Sequence, residues 1–170
     1  LLVVIGMIDD YRPLGVLIRL GTQVLAALIM MLGAELQVHT LLPGTALFEG
    51  LPPWISIPLT VIAVVGLINA FNMIDGIDGL AGCVAVIACL GLVVGQAFLG
   101  FFQATGFVLI FCCAVIGYLC VNLTVTSRRK VFLGDAGSLL IGFVVAWTLI
   151  FLSQSDRPSL PPTLVIWAVA

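Results

Sequence analysis

Five of the chain's eight acidic residues sit in three short segments that interrupt long apolar runs: Asp9, Asp10, Asp75, Asp78 and Asp135. Asp9 and Asp10 are adjacent and follow the apolar stretch LLVVIGMI. The pair reads in two ways. It is a solvated pair where a membrane span ends, or it is a metal or general-base site, because neighbouring carboxylates repel and favour a shared cation or proton. The segment NAFNMIDGIDGL repeats polar groups every three residues, at Asn69, Asn72, Asp75 and Asp78. On a helix that spacing predicts one polar face. Amide and carboxylate oxygens are hard ligands suited to Mg²⁺ or Mn²⁺. Four polar groups at the end of an apolar helix are costly to keep without a use. In VFLGDAGSLLIG, Asp135 precedes another apolar run, with Ser138 placed to cap the next helix. Free N–H groups at that helix start would suit a phosphate. Phe132 offers a stacking surface for a base. Arg128, Arg129 and Lys130 serve either phosphates or the ordinary positive bias of cytoplasmic loops.

The elements that must position these residues are membrane helices. The chain has 170 residues, 62% hydrophobic and 8% charged, whereas a soluble domain is nearer a quarter charged. Mean hydropathy is +1.33. Several stretches reach the roughly 17–25 apolar residues a spanning helix needs. They lack the alternation of a β-barrel strand. The prediction is an all-α, polytopic transmembrane bundle in one domain over 1–170, with about five full spans and two partial ones. Spans are expected to end at residue 8 and to cover 14–34, 54–71, 80–100, 105–123 and 136–152, with a seventh opening at Pro161. Both chain ends fall inside apolar runs and read as interior to a longer protein. The five cysteines lie in apolar runs without CxxC spacing and read as small hydrophobes.

Counting crossings puts residues 9–13, 72–79 and 124–135 on one side. Arg12, Arg19, Arg128, Arg129 and Lys130 fall there and Arg157 opposite, so the positive-inside rule makes that side cytoplasmic. Arg19 lies near enough to a span end to snorkel. His39, the single histidine, falls on the far side and is not expected to be catalytic. Gln23, Gln96 and Gln103 read as helix-to-helix hydrogen-bonding groups. No Walker loop, dinucleotide fingerprint or basic block is present, so nucleic acid is not an expected partner.

Carboxylates for a divalent cation, basic residues and an exposed aromatic suit a nucleotide-like substrate, and the membrane suits a lipid co-substrate. Transfer of a phosphosugar to a lipid phosphate fits both. The segments VVIGMIDDYRPLG, NAFNMIDGIDGLAG and VFLGDAGSLLIGF together resemble the polyprenyl-phosphate N-acetylhexosamine-1-phosphate transferases, over essentially the whole chain. The resemblance implies an enzyme of the bacterial inner membrane with its site facing the cytoplasm. It implies transfer from UDP-N-acetylglucosamine to undecaprenyl phosphate, at the start of O-antigen or related surface polysaccharide assembly. It also implies Mg²⁺ or Mn²⁺, and leaves room for a homodimer. By the same resemblance, Asp9 and Asp10 serve the lipid phosphate and Asp135 binds metal; the hard oxygens of Asn72 and Asp75 make them the further expected metal ligands. By resemblance too, Asn72, Asp75 and Asp78 surround the nucleotide and diphosphate and Phe132 packs on uracil, while Arg128 and Arg129 are candidate substrate contacts from the residues themselves, through phosphate. The family's full set of ten or eleven spans, its basic residue before the aspartate pair and its histidine-rich loop are not in these residues. A secondary transporter would instead place its charges near the bilayer midplane, and a purely structural subunit would leave the NxxNxxDGxDG pattern unexplained.

Overall fold

The computed structural model describes residues 1–40, 50–99, 102, 105–123 and 131–154. Among the described residues six helices follow in order: α1 (Leu2–Tyr11), α2 (Val16–Ala34), α3 (Pro53–Ile74), α4 (Leu80–Leu99), α5 (Thr105–Asn122) and α6 (Gly134–Ser153). Among the described residues there is no strand. Helices α2 to α6 are long and apolar enough to cross a membrane, and α1 has 10 residues. The expected seventh span at Pro161 lies outside the described residues.

The central element is α6. In its span 61% of residues are buried, against 22–39% in the other four, so the rest of the bundle is arranged around it. One cluster of buried side chains joins α6 to α3, α4 and α5 through Phe71, Ala85, Leu92, Cys112, Val145 and Leu149. A second joins it to α1, α2 and α3 through Leu2, Ala27, Met30, Ile68 and Ala146. Leu17, Leu32, Ile62, Ile87, Phe98 and Ile110 point outward, as lipid-facing side chains do. Lipid tails are as apolar as these residues, so close packing rather than water exclusion must hold the helices together. Two glycines permit it. A Cβ on Gly142 would lie 2.7 Å from the Ile68 Cα, and one on Gly6 would lie 2.4 Å from the Ala136 Cα. Those approaches dock α6 on α3 and α1. Cys89 and Cys112 are buried in the core while Cys83, Cys113 and Cys120 are exposed.

Helix boundaries differ from expectation where the polar segments begin. α3 continues past Phe71 to Ile74, and Asp75 closes it with its N–H bonded to the Phe71 carbonyl. Asn72 therefore lies inside the last turn. α6 begins at Gly134, so Asp135 lies in its first turn rather than before it.

Candidate active site

The polar ends of α1, α2, α3 and α6 meet at one end of the bundle. Asp9 is in the last turn of α1, and its side chain is only 3% exposed. Its Oδ1 accepts from the Leu14 N–H at 2.6 Å, across the turn that Pro13 helps form. Its Oδ2 lies 3.0 Å from Arg19 Nε, a charge contact without the alignment of a hydrogen bond. An isolated buried carboxylate costs several kcal/mol, about what a close ion pair must offset.

Arg19, in the first turns of α2, is the hub. Its other arm donates to Asn72 Oδ1 at 2.8 Å and lies 3.9 Å from Asp135 Oδ1. Asn72 Nδ2 donates to Asp135 Oδ1 at 2.5 Å and to Ser138 Oγ at 2.9 Å. A continuous chain, Asp9 to Arg19 to Asn72 to Asp135, thus links four helices whose residues are far apart in sequence. One turn deeper, Gln23 and Asn69 form a reciprocal amide pair at 3.4 and 2.6 Å. It satisfies two polar groups where no water reaches.

Asp10 stands apart from that chain. Its carboxylate accepts from the backbone N–H of Asp135 at 2.7 Å and of Ala136 at 3.3 Å. Those are orphan donors at the start of α6, the groups expected to await a phosphate. Ser138 does not cap the helix. It sits within α6 and its hydroxyl donates to the Asp135 carbonyl at 3.3 Å. Gly134, at φ +66, makes room for Asp10, because a Cβ there would lie 2.7 Å from Asp10 Oδ2.

The expected single face of Asn69, Asn72, Asp75 and Asp78 is not formed, because the helix stops at Ile74. Asn69 is turned to α2, Asn72 to α6, Asp75 closes the helix and the exposed Asp78 lies in the following turn. Asp75 still belongs to the same field. Partial burial and the nearby Asp135 and Asp10 carboxylates push its pKa up from 3.8 to about 6. Phe132 is 72% exposed just before the start of α6. Arg128, Arg129 and Lys130 lie outside the described residues, as does Gln103. Gln96 does join two helices, accepting from Thr105 Oγ1 at 3.0 Å.

Arg19 is the residue that sequence reasoning undervalued. It is expected to snorkel, yet it hydrogen-bonds Asn72 and lies in charge contact with Asp9 and Asp135, on three other helices. A signal was present: Arg19 and Gln23 are four residues apart, so they share one face of an apolar helix, and an ionisable residue inside a span is by default a functional one.

The donors here are hard oxygens, and their negative charge exceeds what Arg19 neutralises. That chemistry fits a divalent cation. Among the described residues, no three His, Cys, Asp or Glu side chains are grouped to hold a metal. Asn72, with its oxygen on Arg19 and its nitrogen on Asp135, positions Asp135 in this arrangement.

Together, fold and site define a multi-pass membrane protein with a carboxylate-rich polar centre at one end of its helices. The chain belongs to glycosyl transferase family 4, whose sequence profile matches residues 1–153. It is 38% identical over 175 residues to the undecaprenyl-phosphate alpha-N-acetylglucosaminyl 1-phosphate transferase of Salmonella typhi, covering 99% of this chain and 46% of that protein. The enzymes of the same name from Escherichia coli K12 and Yersinia pestis are 36% and 35% identical, covering 99% and 100% of this chain and 46% and 47% of theirs. The chain spans about half the length of the curated relatives it matches.

Proposed function

We propose that this chain forms part of an enzyme that transfers N-acetylglucosamine 1-phosphate from UDP-N-acetylglucosamine to undecaprenyl phosphate. An oxygen of the lipid phosphate attacks the β-phosphorus of the UDP-sugar. A new P–O bond forms, the bond from that phosphorus to the bridging oxygen breaks, and UMP leaves. The observation that carries the reading is the convergence of Asp9, Asn72 and Asp135 around Arg19, with Asp10 on the neighbouring start of α6, at one end of an apolar bundle. The end of a membrane-spanning bundle would stand at the depth of a lipid phosphate headgroup, whereas a transporter site lies near the midplane. The names of the relatives support the acceptor and the sugar. The basic bias of the same end supports a cytoplasmic orientation.

Asp135 and Asp75 are the proposed ligands of Mg²⁺ or Mn²⁺, with Asn72 joining them once its oxygen leaves Arg19. The cation would neutralise the diphosphate and stabilise the departing UMP. Asp9 is the member of the aspartate pair proposed to serve the lipid phosphate. Its Oδ2 faces Arg19 with no aligned hydrogen bond, whereas both Asp10 oxygens accept from α6 amides. Much of a phosphate monoester is already dianionic at neutral pH, its second pKa lying near 6. Proton removal by Asp9 therefore contributes little, and positioning and charge balance by Asp9 and Arg19 contribute more. Phe132, Asp78, Arg128 and Arg129 are the proposed contacts to uridine and diphosphate. At the start of a surface polysaccharide, the product would be the first lipid-linked sugar.

The test is transfer to undecaprenyl phosphate from a panel of UDP-sugars, using the full-length protein. UMP release with UDP-N-acetylglucosamine, and its loss in Asp135→Asn, are expected. Mg²⁺ should raise the melting temperature of the wild type and leave Asp135→Asn unmoved, since a ligand stabilises only the state that binds it. Preference for another UDP-sugar would overturn the substrate, and an unchanged Mg²⁺ response in Asp135→Asn would overturn the metal site.

A further inference from the structure

The first turn of α6 carries Asp135 and begins without a cap of its own. Its N-cap residue is Leu133, whose side chain accepts nothing. The cap comes instead from Asp10, 125 residues earlier, through the Asp135 N–H at 2.7 Å and the Ala136 N–H at 3.3 Å. Three features show that the sequence is built around this contact. Gly6, one turn before Asp10, lets α1 touch the backbone of Ala136, where a Cβ would come within 2.4 Å of the Cα. Gly134 adopts φ +66, a conformation that glycine enters without penalty. The same Gly134 leaves the space that the Asp10 carboxylate fills, as a Cβ would lie 2.7 Å from Oδ2. A carboxylate on helix N-terminal amides is a charge-assisted cap, favoured by the helix dipole as well as by the hydrogen bonds.

The consequence lies on the Asp135 side chain. Its carboxylate is steered from one direction by Asn72 and Arg19. Its backbone is fixed from the other by Asp10. With each oxygen accepting from a backbone amide, the Asp10 carboxylate is held against the start of α6. We propose that Asp10 is a positioning residue: it latches the start of α6 to the end of α1 and thereby sets where the Asp135 carboxylate stands. The two adjacent aspartates then have different tasks, Asp9 facing Arg19 and Asp10 facing the α6 backbone.

The inference rests on the transfer reaction proposed above only for its activity readout. The test compares Asp10→Asn, Asp10→Ala and Gly134→Ala in the full-length protein. Asparagine keeps an oxygen that accepts from an amide and is as good an N-cap as aspartate, but it can neither take a proton as a base nor bring a charge to a metal. Asp10→Asn should therefore keep kcat within about tenfold of wild type, whereas Asp10→Ala should lose about a hundredfold, the order expected when a reacting group is misplaced by an ångström. The loss should fall on kcat, with the KM for the UDP-sugar moving less than about threefold. Gly134→Ala removes no carboxylate yet displaces that of Asp10, so it should resemble Asp10→Ala. Combining the two should cost little more than either alone, as expected of residues acting through one contact. Hydrogen exchange read on the peptide 131–140 is the second arm, and it needs no substrate. Exchange should be slow in the wild type and Asp10→Asn, and fast in Asp10→Ala and Gly134→Ala. The latch is overturned if Asp10→Asn is as inactive as Asp10→Ala while its exchange stays slow, which marks Asp10 as a base or metal ligand. It is overturned equally if Asp10→Ala and Gly134→Ala exchange like the wild type. Wild-type protein without transferase activity would refute the proposed reaction and leave the exchange arm to decide the latch.

Discussion

The two ends of the bundle use polar residues in opposite ways. At the end away from the aspartates, Gln154 follows α6 and grips the segment after α2: its Oε1 accepts from the N–H groups of His39 and Thr40 at 2.8 and 3.0 Å, and its Nε2 donates to the Thr40 carbonyl at 3.1 Å. Nearby, Ser56 Oγ donates to the Val38 carbonyl at 2.8 Å and Thr60 Oγ1 accepts from the Val38 N–H at 2.9 Å. These groups are neutral, and most of their partners are backbone atoms of a non-helical segment. Such backbone must be satisfied internally where water is scarce. At the aspartate end the partners are largely other side chains, they are charged, and repulsion among them remains, as the raised pKa of Asp75 records. The first arrangement is complete in itself. The second holds an electrostatic imbalance that a cationic or metal-bound ligand would relieve.

That contrast is broken most sharply at Arg19. Arg19→Met leaves Asp9 buried without its counter-charge, which should destabilise the protein by about 3–5 kcal/mol, as removing one partner of a buried pair does. Thermal unfolding of the purified protein checks it. Adding Asp9→Asn to Arg19→Met should recover a large part of the loss. If the double variant is no more stable than the single one, the pair is not the electrostatic hub described here.

A smaller effect is expected at Asp75. Its folded pKa of about 6 lies above its ordinary 3.8, so the folded protein holds a proton in that interval that the unfolded chain has released. Stability contributed by this group is therefore full below pH 3.8 and is lost as pH rises through about 6. Asp75→Asn should flatten that slope and stabilise the protein at pH 7 by about 1 kcal/mol, a figure already discounted for the group's partial exposure. Melting temperatures across pH 4–7 give the answer, and an unchanged slope would remove Asp75 from the charged cluster. Added Mg²⁺ should shift the window to lower pH by favouring the carboxylate.

The smallest effect belongs to the opposite end. Gln154→Ala removes three hydrogen bonds to an exposed segment and should cost about 0.5–1 kcal/mol. The reaction should run within about twofold of wild type, because no group at that end belongs to the charged centre. A loss of activity larger than the loss of stability would couple the two ends and defeat the comparison.

Much of this was legible in the residues alone. Apolar runs long enough to span a bilayer had to become helices, since backbone amides in lipid can be satisfied only within the segment. Counting crossings then had to bring Asp9, Asp75 and Asp135 to one end, because each helix that crosses reverses the side. Sequence spacing misled at residues 69–78, where a period of three implied a continuing helix that in fact closes at Ile74. Which side chain answers which was decided only by the tertiary structure. Nothing local says that Arg19 reaches Asn72, 53 residues on, or that Asp10 caps a helix 125 residues away. Those pairings depend on how closely two backbones approach, and that distance is set where Gly6 meets Ala136 and Gly142 meets Ile68. A helix pattern specifies the face a residue occupies, but the partner on the facing helix is chosen by packing.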